Sequence, residues 1–372
     1  MNRSDLMPKH GRRYQRLKQI TRIGSRVGCS AVIAFFLLFG TVSEHLPAST
    51  PSPMIPPLIN EDELPAGSAG ESFNVWEALF DKWEGPSALS IYSSLFAEAE
   101  GEIPKGELVI ARTDVSQNPA PGQVLMKNGT TYSLSVTDYL KVGNTLSYTA
   151  SAPPQDVAPK VLIYHTHGTE GYADEGRLSY PAGNLPRSQD ITKNVVAVGK
   201  VLADTLNALG IPTVHCEIMH DARSYSGAYS YSAETVKEYV EKYPSIEYAF
   251  DIHRDALNGG GYAYKAVTYD ESRPVAQIML VVGTDATGTA VNPRWKENLS
   301  FAVNTQYWLT KRLSRFVRPV SVLKSTLNQQ YTKYGMLVEV GTCVNTLQEA
   351  KEAAILLGQT LAAMIREQQT AG

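Results

Sequence analysis

The chain has 372 residues, 43% of them hydrophobic, enough for one large domain or two modest ones around a sizeable core. Its formal net charge of -3 is unevenly spread: residues 1–26 hold eight Lys or Arg and one acid, leaving 26 basic and 36 acidic side chains, a net of -10, on the rest. So acidic a body argues against nucleic acid as a partner, and three cysteines without a CxxC pair supply neither a disulfide framework nor a cysteine metal site.

The first element in chain order is the basic tail, residues 1–26, which gives way to a charge-free apolar run over 27–42. That order predicts a single-pass membrane anchor over 27–43 with the body of the chain outside the cytoplasm. The run would rise about 24 Å as a helix, short of the roughly 30 Å hydrocarbon core, which leaves a cleaved signal peptide as the alternative. No A-x-A site follows it, and Cys29 opens the run where a lipid-attachment cysteine would close it. Residues 44–72 carry Pro47, Pro51, Pro53, Pro56, Pro57 and Pro65 among Ser, Ala and acids, the composition of an extended tether.

Residues 73–156 are expected to form a small α+β region. It opens with a helical pattern at Val75, Leu79 and Trp83 and later shows strand-like runs over 107–111 and 123–126. Pro153, Pro154 and Pro159 mark a boundary. Beyond it, residues 157–372 alternate: strand over 160–165, helix over 191–209 ended by Gly210, strand over 212–216, helix over 233–243, and strands over 248–253 and 277–282. A helix over 298–316, a strand over 336–340 and a helix from Thr346 complete the series. Alternation of this kind predicts a mixed, mostly parallel sheet flanked by helices.

Three stretches in this part carry chemistry. His165-Thr-His-Gly-Thr-Glu170 follows an apolar strand directly, where open α/β sheets place ligand sites. Imidazole and carboxylate are zinc ligands, and His165 and His167 would face the same way if the strand continued. In Tyr248-Ala-Phe-Asp-Ile-His-Arg-Asp255, Asp251 and His253 share a strand face. A metal, or an acid orienting an imidazole, would account for burying both. In Gly335-Met-Leu-Val-Glu339-Val-Gly-Thr, one carboxylate interrupts a strand that otherwise reads as buried on both faces; its economical role is general base toward an activated water. Thr346-Leu-Gln-Glu349 reads as a helix capping box, which gives Glu349 a structural role.

Taken in order, these stretches resemble the stage II sporulation protein P family, relatives of zinc-dependent N-acetylmuramoyl-L-alanine amidases. The resemblance covers roughly residues 157–365. Besides the three stretches it takes in Asn194-Val-Val-Ala-Val-Gly199, Tyr239-x-x-x-Tyr243-Pro-Ser-Ile246 and Val281-Val-Gly-Thr-Asp285.

The resemblance implies a bacterial, membrane-tethered enzyme that cuts the bond between the muramoyl lactyl group and the L-alanine of the stem peptide during sporulation engulfment, with a second endopeptidase activity on cross-links left open. It implies Zn²⁺ as cofactor, peptidoglycan as substrate, and the stage II sporulation proteins D and M as partners. Carried residue by residue, it makes His167 and His253 zinc ligands and Glu339 the catalytic carboxylate. The third ligand is Glu170, with Asp190 in reserve, because the stretch where the amidases take a Glu offers Asp190 and no Glu. His165 is an alternative ligand or a supporting group, and Arg254 is assigned to a substrate carboxylate or developing oxyanion. Two readings stay open beside this one: a non-catalytic wall-binding scaffold and a metallopeptidase of other specificity.

Overall fold

The computed structural model describes residues 103–141, 145–149, 157–183 and 185–370. The basic tail, the expected anchor, the tether and the helical pattern at Val75 to Trp83 lie outside the described residues. Among the described residues no helix is long and apolar enough to cross a membrane.

The strands are β1 (Glu107–Thr113), β2 (Met126–Asn128), β3 (Val161–Tyr164), β4 (Ser179–Pro181), β5 (Thr213–His215), β6 (Tyr248–Asp255), β7 (Asn258–Gly259), β8 (Tyr262–Asp270), β9 (Arg273–Ala276), β10 (Ile278–Gly283), β11 (Val320–Leu323) and β12 (Tyr334–Thr342). The helices are α1 (Val136–Tyr139), α2 (Val195–Ala208), α3 (Ala228–Lys242), α4 (Trp295–Arg312) and α5 (Leu347–Thr370).

Seven strands form the main sheet in the order β2-β11-β10-β12-β6-β3-β5. Among the described residues, only the β10–β12 pairing of this sheet is antiparallel. The sheet is therefore mixed and mostly parallel, as the alternation predicted, and β5, β3, β6 and β12 all point their carboxyl ends at one edge. A second sheet, in the order β4-β1-β8-β7 with β9 on β8, stands beside it.

Strand periodicity sorts the side chains of the main sheet into two faces. Val161 and Ile163 of β3, Tyr248, Phe250 and Ile252 of β6, Met336 and Val338 of β12, and Ile278 and Leu280 of β10 share one face and join the largest core cluster. Each such apolar side chain contributes about 1.5–3 kcal/mol by leaving water. The alternate residues Leu162 and Tyr164 pack with Val236 of α3 in a second cluster. Asp251, His253 and Glu339 have the parity of this second face, so they sit on the side of the sheet opposite the main core.

Helix α2 buries Val195, Val198, Leu202 and Leu206, the face its periodicity predicted, and is capped by Asn194, whose side chain accepts from Val196 N–H. Gly210 follows it at φ +83°, a conformation that favours glycine after a helix. Thr346 and Glu349 form the expected capping box: Thr346 N–H donates to Glu349 and Glu349 N–H to Thr346 Oγ1.

The expected boundary at 157 does not separate two folding units in the described part. β1 pairs with β8 and β4, and β2 pairs with β11, so residues 107–113 and 126–128 are strands of the two sheets formed by the later chain. The expected strand over 123–126 begins three residues later, as β2, where Leu125 C=O and the backbone of Met126 meet β11. Pairing partners nearly 200 residues away decide such edges, and local composition does not register them.

Candidate functional site

The chain leaves β3 at Tyr164 and enters a turn over 165–170. Two buried carboxylates hold this turn. Asp251 accepts from Thr166 N–H at 2.8 Å and Thr166 Oγ1 at 2.6 Å, and Asp221 accepts from Thr169 N–H at 3.0 Å and from Thr169 Oγ1. His220, also buried, reaches the carbonyl of His165 through Nδ1 at 2.7 Å and Thr235 of α3 through Nε2 at 2.8 Å. Because the second contact is to a hydroxyl, the ring can donate to the carbonyl and accept at Nε2.

The turn sends its two histidines apart. His167 lies with its ring centroid 5.5 Å from that of His253, nearly perpendicular to it. His165 points to the other side, where Nδ1 meets Ile252 C=O at 3.1 Å and Nε2 meets His215 Nε2 at 2.8 Å. The expectation that both would face one way fails because the strand stops before either residue, so its two-residue repeat does not reach them. A carbonyl only accepts, so His165 carries its proton on Nδ1 and accepts at Nε2 from His215 N–H. Burial, followed by the neighbouring His215, holds His165 down to about 3, and burial, then Lys200, holds His215 to about 4.

His253 stands between two carboxylates. Its Nδ1 is 3.5 Å from Glu170 and its Nε2 is 2.9 Å from Asp251. The second approach is close but poorly aligned, and Nε2 has no hydrogen-bond partner. Burial works against protonation of this ring, but the charges of Asp251 and Glu170 outweigh it and raise His253 well above the ordinary histidine range. His167 is lowered, first by burial and then by the charge of His253.

Glu170 is 6% exposed and clamped by Arg254, whose backbone N–H donates to Oε2 at 3.1 Å and whose Nη1 approaches Oε1 at 3.4 Å. Burial opposes its ionisation, and the Arg254 guanidinium with His253 overrides it, so the carboxyl lies below the usual carboxylate range. Arg254, itself 3% exposed, gives its remaining nitrogens to the carbonyls of Gly171 and Pro186. It is thus spent inside the protein on holding Glu170 and the loop, which corrects its assignment to a substrate carboxylate or oxyanion.

Glu339 lies in an interior strand, paired with His253 of β6 on one side and Met279 of β10 on the other. Its Oε2 is enclosed without a hydrogen-bond partner. Burial, then the charge of Asp255, pushes its carboxyl up to about 8. Just beyond it the register with β6 shifts, around Gly341 at φ +70°, where an added Cβ would come within 2.9 Å of Asn345 Oδ1. Asp190 is outside this constellation: it is exposed, accepts from Thr192 and pairs with Lys193 at 3.6 Å, which corrects its place as a reserve ligand. A short polar side chain there serves a turn before the Asn194 cap.

Sequence reasoning passed over the aromatic and charged rim of His167. Tyr225 stacks on its ring at 4.5 Å and 19°, and Tyr229 meets it edge-on at 5.7 Å. Arg187 lies 4.8 Å from the Tyr225 ring centre and donates through Nη1 to Asp221 at 2.8 Å. The His220-Asp221 pair follows no strand and sits in no metal-ligand spacing, so only the fold makes it part of the site.

Among the described residues no group of three or more His, Cys, Asp or Glu side chains is disposed to hold a metal ion as it stands. The donor chemistry nevertheless suits zinc. His167 Nδ1, His253 Nε2 and Glu339 Oε2 are buried without hydrogen-bond partners, and imidazole nitrogen and carboxylate oxygen are the atoms zinc takes.

Residues 112–362, more than half of the chain, match the family described as Stage II sporulation protein P (SpoIIP). The chain belongs to this family. A curated relative, Stage II sporulation protein P of Bacillus subtilis strain 168, is 24% identical over 215 residues, 54% of this chain and 50% of the relative. The chain thus spans about half the length of the curated relative it matches. Solved structures similar to it include an N-acetylmuramoyl-L-alanine amidase from Clostridium difficile 630, 13% identical with a TM-score of 0.35 over 58% of this chain and all of that one. Another is the amidase AmiC2 of Nostoc punctiforme, 13% identical with a TM-score of 0.33, covering 56% of this chain and 96% of the other.

Proposed function

We propose that this chain is a zinc-dependent peptidoglycan hydrolase of sporulation that cuts the amide bond between the muramoyl lactyl group and the L-alanine of the stem peptide. The observation that carries the reading is the convergence of His167, Glu170 and His253 at one sheet edge, with Glu339 on the adjacent strand and its Oε2 buried without a hydrogen-bond partner. An unpaired carboxylate oxygen at such depth is costly, and a divalent cation held by the neighbouring side chains, together with its substrate, would satisfy it. Membership of the sporulation family supports the wall as substrate.

His167, His253 and Glu170 would hold the metal. Zinc, when bound, supplies Lewis acidity that polarises the scissile carbonyl and makes water a nucleophile near neutral pH. Glu339 takes the proton of the attacking water and returns it to the leaving amine. Asp251 and Glu170 fix the His253 ring from its two sides, and Arg254 fixes Glu170. The reading includes a single-pass anchor over 27–43 with the domain outside the cytoplasm, and the stage II sporulation proteins D and M as partners.

Purified cell wall digested with the full chain and separated by mass spectrometry tests the assignment. Free stem peptides mark the amidase, whereas cleaved stems or cross-links mark a peptidase. Protein that takes up no zinc when supplied with it, binds the wall and releases no soluble fragment would make the chain a scaffold and overturn the hydrolase reading.

A further inference from the structure

Arg187 stands at the rim of the site with only part of its donor set in use. Its Nη1 donates to Asp221 at 2.8 Å and to Thr169 Oγ1 at 2.9 Å, while its Nε and Nη2 donate to none of the described residues. The side chain is 35% exposed, against 1% for that of Asp221. Its guanidinium carbon is 4.8 Å from the centre of the Tyr225 ring, and that ring in turn stacks on His167 at 4.5 Å. Tyr225 itself is 61% exposed, an unusual degree for an aromatic ring packed on a site histidine. The Asp221 pair and the Tyr225 contact fix the plane of a guanidinium whose Nε–Nη2 edge is free. Two parallel N–H groups on one edge match the two oxygens of a carboxylate, which a point charge such as lysine does not.

We infer that Arg187, braced by Tyr225 and Asp221, binds a carboxylate of the substrate peptide and sets the preference of the site for acidic stems. This rests on the hydrolase reading for the nature of the ligand and deepens it by naming the recognition element. Arg254 is enclosed on Glu170 and two carbonyls, so within this rim Arg187 is the arginine with an edge to offer. The interaction is one of binding, so it belongs in KM and Kd more than in kcat.

The test compares two probes on the full chain in the Glu339→Gln background, so that neither is consumed: a synthetic muramoyl stem peptide with its carboxylates free, and its fully amidated twin. Titration calorimetry is expected to give about tenfold or more tighter binding of the free acid. Arg187→Gln abolishes that difference, Arg187→Lys retains part of it, and Tyr225→Leu reduces it by loosening the guanidinium. Because each variant is judged on the ratio between probes, a general loosening of the loop does not imitate the effect. Equal affinity of the unaltered rim for both probes overturns the inference, as does an undiminished ratio in Arg187→Gln. Should that variant fail to fold, a full ratio in Arg187→Lys overturns it in the same way. Lysis of natural and amidated wall with equal kcat/KM by the unaltered enzyme would keep the hydrolase and remove this role. A preserved binding ratio without any lysis would do the reverse.

Discussion

Glu339 keeps its proton in the metal-free protein because burial, then the charge of Asp255, raises its carboxyl from 4.5 to about 8. Between those values the unfolded chain releases a proton that the folded chain retains, so this group lowers stability as pH rises through that window. Glu339→Gln removes the effect. Metal-free protein is expected to gain on the order of 2 kcal/mol at pH 7 and little at pH 4.5, read from urea melts at the two pH values. The same variant keeps zinc and loses wall lysis; unchanged lysis would take Glu339 out of the mechanism. The charges of Asp251 and Glu170 shift His253 upward despite its burial, which favours the protonated ring in the metal-free protein. Zinc needs the lone pair, hence uptake releases a proton and affinity rises about tenfold per pH unit below the ring's pKa. Calorimetry in buffers of differing ionisation enthalpy counts that proton. Its absence would mean that the ring is not a ligand.

At the scale of elements, the turn after β3 is the part that assembles the site, and it is held from outside itself. Asp251 on β6, Asp221 ahead of α3 and His220 beside it each bond to its backbone. Asp221→Ala leaves Thr169 N–H without its acceptor and Arg187 without its ion-pair partner, at a cost of about 1–3 kcal/mol. It is expected to lower zinc occupancy as well, by releasing the His167 side of the turn; full occupancy by metal analysis would confine Asp221 to folding. Helix α2 crosses the other side of the turn at Gly199. An added Cβ there would come within 2.5 Å of His165 Cε1 and 3.0 Å of His215 Nε2. Gly199→Ala is therefore expected to push α2 off the sheet and lose about 1–3 kcal/mol in thermal melts.

For the whole molecule, the His165–His215 pair makes the fold sensitive to acid. Both rings are neutral in the folded state, while an unfolded histidine protonates near 6.5. A folded pKa below the unfolded one means that stability is lost as pH falls from about 6.5 toward 4, by roughly 1 kcal/mol per pH unit from His215 alone. His215→Gln keeps an N–H donor toward His165 and is expected to flatten the slope of melting temperature over that window. An unaltered slope would place the acid sensitivity elsewhere. The slope opposes that of Glu339, so the metal-free protein is expected to be most stable in mildly acidic solution.

The sequence by itself determined what local pattern controls. Apolar runs became β3, β6 and β12, the repeat of Val195, Val198, Leu202 and Leu206 became the buried face of α2, and the parity of Asp251, His253 and Glu339 put them on one sheet face. Tertiary structure decided what parity cannot reach. The strand ended before His165, so a turn parted it from His167. Arg254 was drawn inward onto Glu170, and Asp221, Tyr225 and Arg187 were brought to the site from loops without a repeat. The physical reason is the same in each case: side-chain direction follows backbone hydrogen bonding only within an element, and beyond its last residue the partners that fix it come from elsewhere in the chain.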